Sequence, residues 1–133
     1  MPLLFGNITF VQKKQTMNKI EASVKELNEL ILNGKAMEGF DKFYHPNVSM
    51  QENELPPTIG KEANRKREIE FFGNVTEFRG ASVKGIAIGE NLSTVIWHFD
   101  YTHAQWGVRN YTQVSVQHWK DGQIIKEQFF YGN

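Results

Sequence analysis

Residues 110–133, NYTQVSVQHWKDGQIIKEQFFYGN, decide how the rest of the chain is read. Two runs of alternating character flank Lys120-Asp121-Gly122-Gln123, and Asp-Gly between such runs is a strong short-range signal for a β-hairpin. Side chains alternate along a strand, so Ile125, Glu127, Phe129 and Tyr131 are expected on one face. Ile124, Lys126, Gln128 and Phe130 are expected on the other. The first face sets one carboxylate among large apolar groups, which suggests a curved sheet with a half-buried hollow.

Working backwards, 123–131 is the last of four strand candidates, with 77–88, 92–103 and 108–119 before it. Gly89-Glu90-Asn91 and Ala104-Gln105-Trp106-Gly107 separate the earlier ones. These runs are long for strands, so bulges are expected, with Gly80 and Gly85 as candidate positions. In the second run Val95, Trp97, Phe99, Tyr101 and His103 share a face. Thr94, Ile96, His98, Asp100 and Thr102 share the other.

The N-terminal half reads as helical. Asn18 with Glu21 resembles a capping box, Ile20, Val24, Leu27 and Ile31 form one apolar stripe, and Gly34 suits the left-handed position after the helix. A second helix is expected over 35–44, with Met37, Phe40 and Phe43 inward and Pro46 stopping it. A short strand follows at 48–53, with Met50 and Glu52 on one face, and then a Leu55-Pro56-Pro57 loop. A third helix spans 60–72. Its Lys61, Arg65, Lys66 and Arg67 are interleaved with Glu62, Glu68 and Glu70, which predicts a solvated face laced with ion pairs. Residues 1–16 show no clean period. They are expected to form an N-terminal extension, as an edge strand or an arm, ahead of a single domain at 17–133.

The totals agree with one globular unit. The 133 residues are 40% hydrophobic and 13% aromatic, which excludes a disordered chain. A formal net charge of zero gives no overall field toward nucleic acid or acidic lipid. With no cysteine there is no disulfide, thiolate metal site or Cys nucleophile. His45, His98, His103 and His118 lack metal-site spacing, and no phosphate loop or nucleophile elbow is present, so neither metal nor cofactor is expected. No apolar run is long enough for a membrane span, and the N-terminus is a poor signal peptide, so the expected location is cytoplasmic. Five Asn-x-Ser/Thr sequons, beginning at Asn7, Asn47, Asn74, Asn91 and Asn110, carry no meaning without export.

The order helix, helix, strand, helix, meander makes an α+β arrangement. With Phe43-Tyr44-His45-Pro46-Asn47-Val48, the Gly60-Lys61-Glu62-Ala63 helix start and Asp121-Gly122-Gln123-Ile124, it resembles the nuclear-transport-factor-2-like superfamily. Within that superfamily it is most similar to the SnoaL-like branch. The resemblance covers about residues 18–131 and implies a cystatin-like cone, with three N-terminal helices packed on a curved, mostly antiparallel sheet. It also implies a hollow between sheet and helices, and homodimers.

The resemblance leaves function open, because the superfamily holds polyketide cyclases, ketosteroid isomerases, hydrolases, dehydratases and plain binding proteins. Glu52 falls where the isomerase pattern has its base, but Leu27 falls near the place of that pattern's phenolic donor. His103 resembles a histidine position of the cyclases. Their last-strand acid corresponds to Phe129 here, and Glu127 lies about 7 Å away along the strand.

Glu52 reads as a rim carboxylate, a structural hydrogen-bond partner or a pocket base, and His103 as a loop-bonded strand end or a catalytic acid. Trp97, Phe99, Tyr101, Phe129 and Tyr131 serve equally as core or as pocket wall, with Met50 and Glu127 beside them. A lone Glu127 on an aromatic face requires a partner, and Arg109 and His103 are the sequence candidates. The expectation is a small apolar or amphipathic ligand in an apolar pocket, with Glu52 and His103 as a candidate acid/base pair. The rival is a non-catalytic module dimerising through an outer sheet face that carries Tyr111, Gln113, Gln117 and Trp119.

Overall fold

The computed structural model describes residues 9–132. Its elements run α1 (Phe10–Leu32), α2 (Ala36–Phe43), β1 (Tyr44–Glu52), β2 (Thr58–Ile59), α3 (Lys61–Gly73), β3 (Val75–Gly89), β4 (Leu92–His103), β5 (Gly107–Lys120) and β6 (Gln123–Tyr131). One six-stranded sheet has the order β2-β1-β6-β5-β4-β3. All its pairings are antiparallel except β1 with β6. Three helices against this curved, mostly antiparallel sheet give the expected α+β cone.

Helix α1 starts well before Asn18. Thr9 is its N-cap and forms a reciprocal capping box with Gln12. Residues 10–16 are therefore helical rather than an edge strand, and residues 1–8 lie outside the described part. At the other end Gly34 adopts φ 76°. Lys35 N–H bonds the Leu30 carbonyl at 2.7 Å and Gly34 N–H that of Ile31 at 3.2 Å, a Schellman termination. The stripe at Ile20, Val24 and Leu27 is buried against Phe40, Phe43, Val48, Val95, Trp119 and Ile124.

The meander follows from its own alternation. On β4 the row Val95, Trp97, Tyr101 and His103 is buried, and Phe99 packs against the core. Register shifts fall between Phe78 and Gly80 and between Val83 and Gly85, beside both expected glycines. The hairpin closes on Asp121 and Gly122 at φ 52° and 79°, the positive pair a type I′ turn requires.

Two face assignments differ from the sequence expectation. A bulge sets His118 opposite Lys126 but Trp119 opposite Ile124, so Ile125 is an extra residue in β6. Ile124 thereby shares the inner side with Glu127 and is fully buried, while Ile125 is only half-buried. On β5, Tyr111 pairs with Phe99, Gln113 with Trp97 and Gln117 with Glu127. Cross-strand partners share a face, so Tyr111, Gln113, Gln117 and Trp119 lie on the concave side and not the outer one. The convex side carries instead the register row Ile96, Val114 and Phe130.

Candidate functional site

The concave sheet face and the helices enclose a cavity of about 1580 Å³. Exposed Leu32, Lys35 and Glu38 line it on the α1–α2 side, and exposed Phe72, Phe78 and Trp106 at the α3 end. Glu52, His103, Met50, Trp97, Phe99, Tyr101, Glu127, Phe129 and Tyr131 all line this one space. Parity explains why β4 and β6 contribute alternate side chains, and pairing explains their rows: Met50 faces Glu127, and Glu52 faces Phe129.

The walls are aromatic on three strands. Trp97 stacks on Phe99 with centroids 5.2 Å apart, and Tyr111 bridges toward Tyr131 at 5.5 Å. The Tyr101 and Tyr111 hydroxyls are 2.9 Å apart, and the Arg109 guanidinium lies 4.8 Å over the Tyr111 ring. Burial beside Tyr101 pushes the Tyr111 phenol well up from its ordinary range, so the Tyr111 hydroxyl stays a protonated hydrogen-bonding group at any physiological pH.

His103 closes the α3 end. It is buried and stacks on Trp106 at 3.7 Å, with Phe71 5.9 Å away. Its Nδ1 accepts the Gln105 backbone N–H at 3.1 Å, which leaves Nε2 to carry the proton of a neutral ring.

Glu52 ends β1 half-buried. Burial raises its proton affinity, while the Arg67 cation and the Tyr131 phenol act in the opposite direction. The following turn holds it in place. Asn53, at φ 48°, donates its N–H to the Phe129 carbonyl at 2.7 Å, and its Oδ1 accepts the Tyr131 N–H at 3.0 Å.

Two carboxylates were placed differently by the sequence. Glu127 is 2% exposed, and its partners are neither Arg109 nor His103. Tyr44 donates its hydroxyl to Oε1, and Gln117 donates Nε2–H to Oε2 at 2.9 Å. Burial carries its pKa from 4.5 to about 7, and the two hydrogen bonds restrain the rise. Glu68 leaves the solvated face of α3 and lines the cavity. Burial, reinforced by the charges of Glu127 and Glu52, lifts it also to about 7. Of the expected ion pairs on α3, Arg65 keeps Glu62 and adds Asp41, whereas Arg67 donates to the Thr58 hydroxyl.

Sequence reasoning missed Tyr44, Asn64, Glu68 and Gln117. Asn64 is 1% exposed, and its Nδ2 reaches the carbonyls of Val48, Thr58 and Gly60 at 3.3, 2.9 and 2.8 Å. It thereby fixes α3 to β1 and β2. An Asn amid KEANRKRE carries no signal of this kind. For Gln117 the signal was available, because it shares parity with Trp119, a residue type that seldom faces solvent on a sheet.

With this geometry in view, the sequence profile of the SnoaL-like domain matches residues 3–131. The chain belongs to the SnoaL-like family. A structure from Mesorhizobium loti, provisionally named a SnoaL-like polyketide cyclase, is 25% identical with TM-score 0.75, over 84% of this chain and 98% of that one. Bal32a, from a soil-derived mobile gene cassette, is 13% identical with TM-score 0.74, over 89% and 92%. A protein from Xanthomonas campestris pv. campestris, provisionally named a polyketide cyclase, is 16% identical with TM-score 0.67, over 88% and 93%. No curated protein matches the chain. Among the described residues no helix is long and apolar enough to cross a membrane.

Proposed function

We propose that this SnoaL-like domain binds a small apolar or amphipathic molecule in its cone and moves a proton on it. The observation that carries the reading is a carboxylate, Glu52, whose proton affinity is raised by burial inside an aromatic cavity. Such a group holds a proton more readily near neutral pH than a solvated carboxylate, as a general base requires. Glu52 is assigned as base and His103, with its proton on Nε2, as acid or orienter. Trp97, Phe99, Tyr101, Phe129 and Tyr131 are the walls, with Met50 and Glu127 deeper in.

The cyclase name carried by relatives supports the general class of chemistry. The cyclase mechanism itself is not borrowed, because Phe129 stands where the resemblance puts the acid. Nile red, a neutral apolar dye, should brighten on entering the cavity, and mass spectrometry of natively purified protein should find a bound small molecule. Absence of both would refute the binding reading. Glu52→Gln should preserve dye binding while abolishing turnover of whatever molecule is recovered; full turnover by that variant would remove Glu52 from the mechanism.

The second reading is a dimeric, non-catalytic cytoplasmic module. The row Ile96, Val114 and Phe130 supports it, since Ile96 and Phe130 are each 38% exposed on the convex sheet face. Light scattering reports that assembly, and Phe130→Lys should shift a dimer toward monomer. A species that stays monomeric at high concentration would exclude it.

A further inference from the structure

The buried polar chain behind the cavity has a direction, and the indole sets it. Trp119 Nε1–H can only donate, and it donates to Ser93 Oγ at 2.8 Å. The Ser93 hydroxyl hydrogen then goes to Gln117 Oε1, 2.6 Å away. That fixes the Gln117 amide with Nε2 toward Glu127, so Glu127 Oε2 always accepts. Any proton taken up by Glu127 therefore sits on Oε1, which faces Tyr44. Tyr44 is buried and, like Glu127, lines the cavity.

We infer that Tyr44 and Glu127 form a proton relay in which Tyr44 is the catalytic donor to a substrate oxygen and Glu127 is its proton reservoir. The inference rests on the reading of the cavity as a substrate site. With Glu127 ionised, the Tyr44 hydrogen is committed to Oε1. With Glu127 protonated, Oε1–H donates to the Tyr44 oxygen, and the phenolic hydrogen is free to turn into the cavity. In the transfer step the substrate oxygen takes the phenolic proton, the Tyr44 oxygen takes the proton from Oε1, and Glu127 is left as carboxylate. Nothing is oxidised or reduced. The ligand class is a small aromatic or aliphatic molecule bearing an oxygen that is, or becomes, anionic.

The relay supplies a phenolic donor from the start of β1, whereas the α1 residues that line the cavity, Leu27, Ile31 and Leu32, are all aliphatic. The groups facing Glu127 are Tyr44 and Glu52 from β1, Glu68 from α3 and the neutral Gln117 from β5. Burial sets Glu127 close to neutrality, so both states of the relay are populated under ordinary conditions.

The test uses 4-nitrophenolate as an oxyanion probe, followed by visible absorbance at about pH 8.5. There only a few per cent of Glu127 is protonated, and the apparent affinity of a state-selective ligand falls by that fraction. Glu127→Gln, whose amide N–H donates permanently to Tyr44, should bind the probe about thirtyfold more tightly than wild type. In a Tyr44→Phe background that gain should vanish. A gain that persists without the phenol would mean simple charge removal, and no gain would mean that Glu127 is only structural; either overturns the relay.

Wild-type protein gives a check that requires no variant. Calorimetry in two buffers of different ionisation enthalpy should show about one proton taken up per phenolate bound at that pH. Probe binding without uptake overturns the relay. Nile red binding with no affinity for the phenolate also overturns the relay but leaves the cavity reading standing. Failure of both ligands overturns the cavity reading, and the relay with it.

Discussion

Burial of Glu127 sets a stability profile opposite to that of an ordinary surface carboxylate. Its pKa is about 7 in the folded protein against 4.5 when solvated. Between those values the native state holds a proton that the unfolded chain has released. Stability is therefore greatest below about pH 4.5 as far as this group is concerned, and it is lost as pH rises through 7. At about 1.4 kcal/mol per tenfold change in proton affinity, the full span is worth about 3 kcal/mol. That is a large part of the stability of a small domain.

Glu127→Gln removes the titration while keeping the shape, and its amide can satisfy Tyr44 and Gln117 through one oxygen and one N–H. Urea melts followed by circular dichroism at pH 5 and pH 8 measure the difference. Wild type should be less stable at pH 8, and the variant should recover about 2.5 kcal/mol of that loss, a little less than the full span because the unfolded carboxylate is still partly protonated at pH 5. Glu68 keeps a residual slope in the variant. An unchanged pH slope in Glu127→Gln, or wild type gaining stability from pH 5 to pH 8, would refute the argument.

Three further substitutions probe the scaffold by thermal melting. Asn64→Ala strips the amide that bonds three carbonyls and should destabilise by about 2–3 kcal/mol, whereas a loss under about 0.5 would deny that it ties α3 to β1. Asn28 is buried on α1 with neither side-chain atom bonded among the described residues, so Asn28→Leu should raise stability by about 1 kcal/mol; destabilisation would mean that the amide is satisfied in the native state. Gly122→Val forces a β-branched residue to φ 79° and should cost about 1–2 kcal/mol, and an unchanged melting temperature would argue against the type I′ turn.

The sheet was legible wherever the side chains on a face were uniform. Val95 through His103 announced the inner face of β4, and Asp121-Gly122 announced the last hairpin. Residues failed where a polar type sits on a buried face. Gln113, Ser115 and Gln117 line the concave side of β5, and their own polarity reads as a solvated row until Trp97, Phe129 and Glu127 are placed opposite them. Parity failed at Ile124 because one inserted residue inverts every assignment on its far side.

The start of α1 was missed for a different reason. Thr9-x-x-Gln12 is as good a capping signature as Asn18-x-x-Glu21, but the exposed Phe10 and Val11 broke the apolar period that would have drawn attention to it. The candidate site was half legible. Its walls, Glu52 and His103 came from alternation and resemblance, whereas Glu68 was hidden in a charge-mixed helix and Tyr44 in what read as a helix end.

The parallel seam between β1 and β6 also governs when the cavity can exist. Met50 pairs with Glu127, and Tyr44 bonds a residue 83 positions later. During synthesis β1 emerges early but finds its neighbour only when the last strand has left the ribosome. Until then one edge of β1 and one edge of β5 stand open to any other extended chain. The contact that completes the floor of the cavity is thus among the slowest to form, because closing so long a loop precedes its reward. A nascent chain that stops before residue 123 would hold three helices, a meander and no chamber.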